Sequence, residues 1–155
     1  MNTTELLLKT LFCCSACDGE IASEEIDLVK NLTEQQEIFN GMNVEETLNK
    51  YVAEINSEGK QFLRSYLNEL SDAELSDTDQ IKLIDLAIKM IEADNQILYS
   101  EVKFFKKIRA RLTVDDSKIL EALPESEDYL LPDISSEDKD FEEVGNFQSI
   151  SFDAV

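Results

Sequence analysis

The feature that most limits what this chain can fold into is an acidic phrase that occurs twice, each time at the end of an apolar helical run. Residues 16–32 carry Asp18, Gly19, Ile21, Glu25, Ile26 and Leu32. At one fixed offset, residues 92–108 carry Asp94, Asn95, Ile97, Glu101, Val102 and Ile108. The shared pattern is D-[GN]-x-I-x-x-x-E. A phrase repeated with both acids and the isoleucine between them predicts two copies of one helix-loop-helix unit, related by a pseudo-twofold, with their carboxylates gathered where the copies meet.

The remaining sequence supplies helices for that unit. Four Gly and two Pro in 155 residues leave few breaks, and 43% apolar residues suffice for a core. The expectation is an all-α fold of about seven helices. The first runs from Thr4 to about Cys17, with Leu7, Leu8, Leu11, Phe12 and Ser15 as an amphipathic stripe. Ser23 is placed to cap the second, whose first turn holds Glu24, Glu25 and Asp27 and whose inner face is Ile26, Val29 and Leu32. Two more are expected over 44–55 and 59–70, with breaks at Asn40-Gly41 and at Ser57 to Gly59. Asp77 is placed to cap the counterpart of the first helix. Val102, Phe105, Ile108 and Leu112 mark the counterpart of the second, and Thr113 is placed to cap the last.

The helical domain is read as residues 1–122. Residues 123–155 hold ten acidic residues against the single Lys139, together with both prolines, and predict an extended acidic tail. Phe147, Ile150 and Phe152 stand out in that polar context, as residues that lie on the helical body or dock as a peptide.

Charge and composition exclude several function classes. With 34 acidic against 14 basic residues the formal charge is -20, which repels nucleic acid and anionic lipid and concentrates cations. No segment approaches the roughly 20 apolar residues of a membrane span, so direct membrane insertion is not expected. The apolar run at Leu6 to Cys14 has no Lys or Arg before it and is interrupted by Lys9, unlike an export signal. A cytoplasmic protein is therefore expected. Cys13, Cys14 and Cys17 cannot form a disulfide framework, and no His is present to complete a zinc site. Cys14-x-x-Cys17 also lies near a helix C-terminus, where the dipole opposes a thiolate, so packing is the expected role. Without a His, a Gly-rich phosphate loop or a serine-nucleophile motif, the chain does not read as an enzyme.

The repeated loops do carry chemistry. Carboxylates and backbone carbonyls select hard cations such as calcium, magnesium or manganese. Gly19 and Asn95 are residue types that tolerate the left-handed backbone of a tight helix-to-helix turn, and the glutamate seven positions after each aspartate falls in the first turn of the next helix. Against an EF-hand, Asp18, Gly19, Ile21 and Glu25 fit loop positions five, six, eight and twelve, whereas the front half has Cys14 and Ala16 where acids belong. One loop alone is thus a weak site. Convergence of Asp18, Glu25, Asp94 and Glu101, with Glu20, Glu24 and Glu92 nearby, makes a better one. The competing reading is that these acids cap helix termini.

The phrase Ala16-Cys17-Asp18-Gly19-Glu20-Ile21-Ala22-Ser23-Glu24-Glu25, echoed at residues 93–101 in an all-helical setting, resembles the tellurite-resistance protein B (TerB) family over about residues 4–122. The resemblance implies a TerB-like helical fold and a weakly bound divalent cation held by Asp18, Glu25, Asp94 and Glu101. It further implies a non-enzymatic role in stress-response protein complexes near the membrane that contain other Ter proteins. The second copy departs from the family pattern, with Asn95 in place of the glycine and Gln96 in place of the acid. The alternative is an acidic structural adaptor that recruits a protein partner without metal, through its charged surface or through Phe147 to Phe152.

Overall fold

The computed structural model describes residues 3–17, 19, 21–93, 99–130, 147 and 150. Of the loop acids, Asp18, Glu20 and Asp94 lie outside the described residues, as do Asn95, Gln96, Ile97 and Phe152. The chain is all-helical. Among the described residues eight α-helices occur: α1 Thr3–Ala16, α2 Ser23–Gln35, α3 Val44–Glu58, α4 Lys60–Asp72, α5 Asp77–Ile91, α6 Tyr99–Ala110, α7 Asp116–Ala122 and α8 Glu127–Leu130. Short 3-10 turns at Glu37–Phe39 and Pro124–Ser126 complete the path.

α1 is the axis of the fold. Every residue from Leu6 to Ala16 is buried, so this helix is surrounded rather than laid on a surface by one stripe. Its apolar groups face outward in all directions, the pattern of a core helix. Its polar groups are each satisfied. Thr10 Oγ1 donates to the Leu6 carbonyl at 2.8 Å and lies 2.6 Å from the Tyr66 hydroxyl, and Ser15 Oγ donates to the Leu11 carbonyl at 3.1 Å. The Lys9 ammonium reaches both carboxylate oxygens of Glu69 on α4, at 3.0 and 3.1 Å, and sits 4.7 Å from the Phe62 ring centre. Burying a lysine among aromatics is tolerable only with such a partner.

α1 packs chiefly against α5, while α2 also touches α5 and α6 touches both α1 and α5. α3 and α4 form a hairpin against α1. Gly59 turns that hairpin with φ 62° and ψ −142°, a conformation that a side chain would strain.

Three helix starts differ from the sequence reading. Ala22, not Ser23, is the N-cap of α2; Ser76, not Asp77, caps α5, its Oγ accepting the Asp79 amide at 3.1 Å; and Asp115, not Thr113, precedes α7. Thr113 is engaged elsewhere. The Gln80 side-chain oxygen accepts the amides of Thr113 and Val114, both at 2.9 Å, and its nitrogen donates to the Leu75 carbonyl and Thr113 Oγ1.

Helical structure also runs on past Leu123 to Leu130, into the segment whose composition suggests an extended tail. Tyr129 explains the extension: it is buried edge-on against Phe105, ring centres 5.5 Å apart, and its hydroxyl donates to Glu92 at 3.0 Å. Farther on, Phe147 and Ile150 lie against α3, and Ile150 is buried.

Candidate cation site

The repeat offset places Glu25 on Glu101, and each proves to be the third residue of its helix, on α2 and α6 respectively. Both are buried, 5% and 4% exposed, where glutamate is normally solvated. Their neighbourhood is shared. Burial pushes the Cys14 thiol far up from its ordinary range, and the carboxylate of Glu101, then that of Glu25, pushes it further in the same direction. One thiol near the end of α1 therefore feels a carboxylate from each half of the chain. Glu25 in the first turn of α2 and Glu101 in the first turn of α6 thus both lie near Cys14 in the last turn of α1.

Local sequence explains how α2 brings its acid there. Gly19 has φ 87°, the left-handed conformation its residue type predicts, and its amide donates to the Ala16 carbonyl at 3.0 Å to close the end of α1. The chain then runs through Ile21, packed against the core, into α2. Glu25 Oε1 accepts the Ala22 amide at 2.9 Å, the carboxylate half of a capping box. The capping role weighed against cation binding is thus present for Glu25.

The neighbouring acids sort themselves by partner. Glu92 accepts the Tyr129 hydroxyl, and Glu24 is exposed on α2. Burial, and then the hydrogen bond to Glu92, push the Tyr129 hydroxyl up, with Glu101 adding to the effect. Asp18 and Asp94, the other two members of the predicted set, lie outside the described residues. Among the described residues no three His, Cys, Asp or Glu side chains gather with the geometry to hold a metal ion.

Burial raises both neighbouring thiols, Cys14 then through Glu101 and Glu25 and Cys13 through its neighbour Cys14, which disfavours thiolates in this part of the core. Cys17 donates its thiol to the Cys14 carbonyl at 3.3 Å. The three cysteines are buried and form no disulfide, in keeping with the packing role expected for them. What sequence reasoning missed is that Cys14 lies near both Glu25 and Glu101. Its counterpart at the repeat offset, Met90, is also fully buried, and that paired apolar position was the available signal.

No helix among the described residues is long and apolar enough to cross a membrane. No family model, curated protein or solved structure matches this chain.

Proposed function

We propose that this protein is a non-enzymatic module that binds a divalent cation, calcium, magnesium or manganese, through paired acidic loops related by a pseudo-twofold. In the manner the TerB resemblance implies, it would serve cytoplasmic stress-response complexes of the tellurite-resistance type. The observation that supports this reading is the placement of Glu25 and Glu101. Two buried glutamates from positions paired by the sequence repeat both lie near Cys14, and carboxylate oxygens are the donors a hard cation takes. Asp18 and Asp94, one loop upstream of each, are the further oxygen donors the reading requires.

The test is calorimetry and thermal denaturation of the full chain with each cation. At a free cation concentration of about 100 times Kd, binding adds about 2.7 kcal/mol, which for a chain of this size raises Tm by about 5–10 °C. Asp18→Asn with Asp94→Asn removes that gain while the metal-free fold persists. No heat and no stabilisation at millimolar calcium, magnesium or manganese would remove the metal from the proposal.

The Glu25 bond to the Ala22 amide favours a second reading, an acidic adaptor in which these carboxylates only cap helices. On that reading Glu25→Gln lowers metal-free stability by about 0.5–1 kcal/mol, the scale of a lost cap, and changes no cation response.

A further inference from the structure

Two asparagines on α3, Asn49 and Asn56, treat the chain's own tail as a peptide. Asn49 Oδ1 accepts the Ile150 amide at 2.8 Å while its Nδ2 donates to the Ile150 carbonyl at 2.9 Å. Asn56 does the same to Phe147: its Oδ1 accepts the amide at 2.7 Å and its Nδ2 donates to the carbonyl at 2.9 Å. Each side-chain amide therefore satisfies both backbone groups of one residue and reads no side chain. The spacing suits a linear segment. Seven residues of helix rise about 10.5 Å, close to the reach of three residues of extended chain. Beside these clamps Ile150 is buried and, with Phe12, Ile21, Ile26, Val29 and Leu48, walls a small, mainly apolar recess.

We infer that the face of α3 bearing Asn49 and Asn56, with the adjoining recess, is a docking groove for an extended peptide of a partner protein. Its ligand carries two large apolar residues three positions apart between basic flanks, and the chain's own Phe147–Ile150 segment is the competitor that closes the groove. Backbone clamping supplies affinity for any extended chain, and the recess selects an aliphatic side chain at one position. Charge decides against the resident segment. Residues 123–155 carry ten acids and one lysine, while the rest of the chain still holds more than half of the -20 formal charge. By sequence the tail and the rest of the chain carry net charge of the same sign, whereas a basic-flanked peptide is complementary to the body. Nothing in this assignment depends on a bound cation.

The experiment uses the full chain and a fluorescein-labelled synthetic peptide containing residues 146–152 between two lysines on each side, read by anisotropy at 50 and 300 mM salt. Ile150→Asp, which ejects the competitor, is expected to tighten peptide binding at least tenfold over the unaltered chain. Adding Asn49→Ala and Asn56→Ala to that variant abolishes the gain, while an unchanged melting curve shows that the fold persists. Replacing the flanking lysines by glutamates weakens binding at least tenfold at 50 mM salt, and the difference shrinks at 300 mM. A peptide that binds no tighter to the Ile150→Asp chain overturns the proposal, as does binding that survives loss of both asparagines in a folded variant. Equal binding of lysine- and glutamate-flanked peptides overturns the assignment of a basic partner.

Discussion

The buried pair Lys9–Glu69 allows a prediction whose sign separates two views of the core. Lys9 is 6% exposed at its side chain and meets both Glu69 oxygens, while Glu69 is 37% exposed. At about 3 Å and an effective dielectric of about 20, the gross attraction is about 5 kcal/mol. Solvent reaches Glu69, and desolvation of the ammonium offsets much of the remainder, so the net loss on Glu69→Gln is about 2 kcal/mol. For a chain of this size that lowers Tm by about 4–8 °C. Lys9→Met removes the buried charge and leaves a flexible apolar chain between the Tyr51 and Phe62 rings, with Glu69 still able to hydrate. Its cost is therefore within about 1 kcal/mol of zero. Urea denaturation followed by circular dichroism measures both, and the double variant Lys9→Met with Glu69→Gln should recover most of what Glu69→Gln alone loses. If Lys9→Met proves the costlier single change, the ammonium is contributing net stability through its aromatic contacts, and the argument from desolvation is refuted.

Alkaline pH should weaken the fold through the two adjacent thiols. Burial raises Cys13 and Cys14 in the folded chain, so their contribution is complete below the ordinary thiol value of about 8.5 and is lost above it, where only the unfolded chain ionises. Each adds a decline of about 1.4 kcal/mol per pH unit, and denaturation at pH 7.5, 8.5 and 9.5 should show a shallower decline for Cys13→Ala with Cys14→Ala. Gln80→Leu deprives the Thr113 and Val114 amides of their acceptor, and a loss of about 2–4 kcal/mol is expected, with reduced hydrogen-exchange protection at those two amides as the local readout. If both the cation and the peptide readings hold, manganese should change the peptide's affinity by the same factor that the peptide changes manganese's, because linkage is reciprocal. Parallel titrations test that equality.

The helices were legible because their inward faces recur at the spacing the fold uses. Val29 and Leu32 on α2, Leu48, Tyr51, Val52 and Ile55 on α3, and Phe62, Leu63, Tyr66, Leu67 and Leu70 on α4 are all buried as the periodicity predicts. α1 was not legible as a fully buried helix, because Lys9 and Thr10 look like a solvated face. Their partners are Glu69 and Tyr66, which stand far along the chain. Helix starts were misplaced for a local reason. Runs such as Ser76-Asp77 and Thr113 to Asp116 offer several capping residues, and the choice among them falls to neighbours such as Gln80. The helical extension to Leu130 depends likewise on Tyr129 finding Phe105 and Glu92, contacts that an acidic composition does not announce.

The candidate site divides along the same line. The pairing of Glu25 with Glu101 followed from the sequence repeat alone, whereas their shared proximity to Cys14 is visible only in the folded chain. The consequence reaches the groove on α3. Ile21, Glu25 and Ile26 wall the same recess as Ile150. The start of α2 therefore has two loads: Glu25 accepts the Ala22 amide and lies near Cys14, and the same residue with Ile26 borders the tail. A shift of this turn that drew Glu25 toward a cation would move the recess wall with it, because a closely packed core transmits a displacement rather than absorbing it. If both proposals hold, cation and peptide act on one element of the fold, the start of α2, and each is read out through the other.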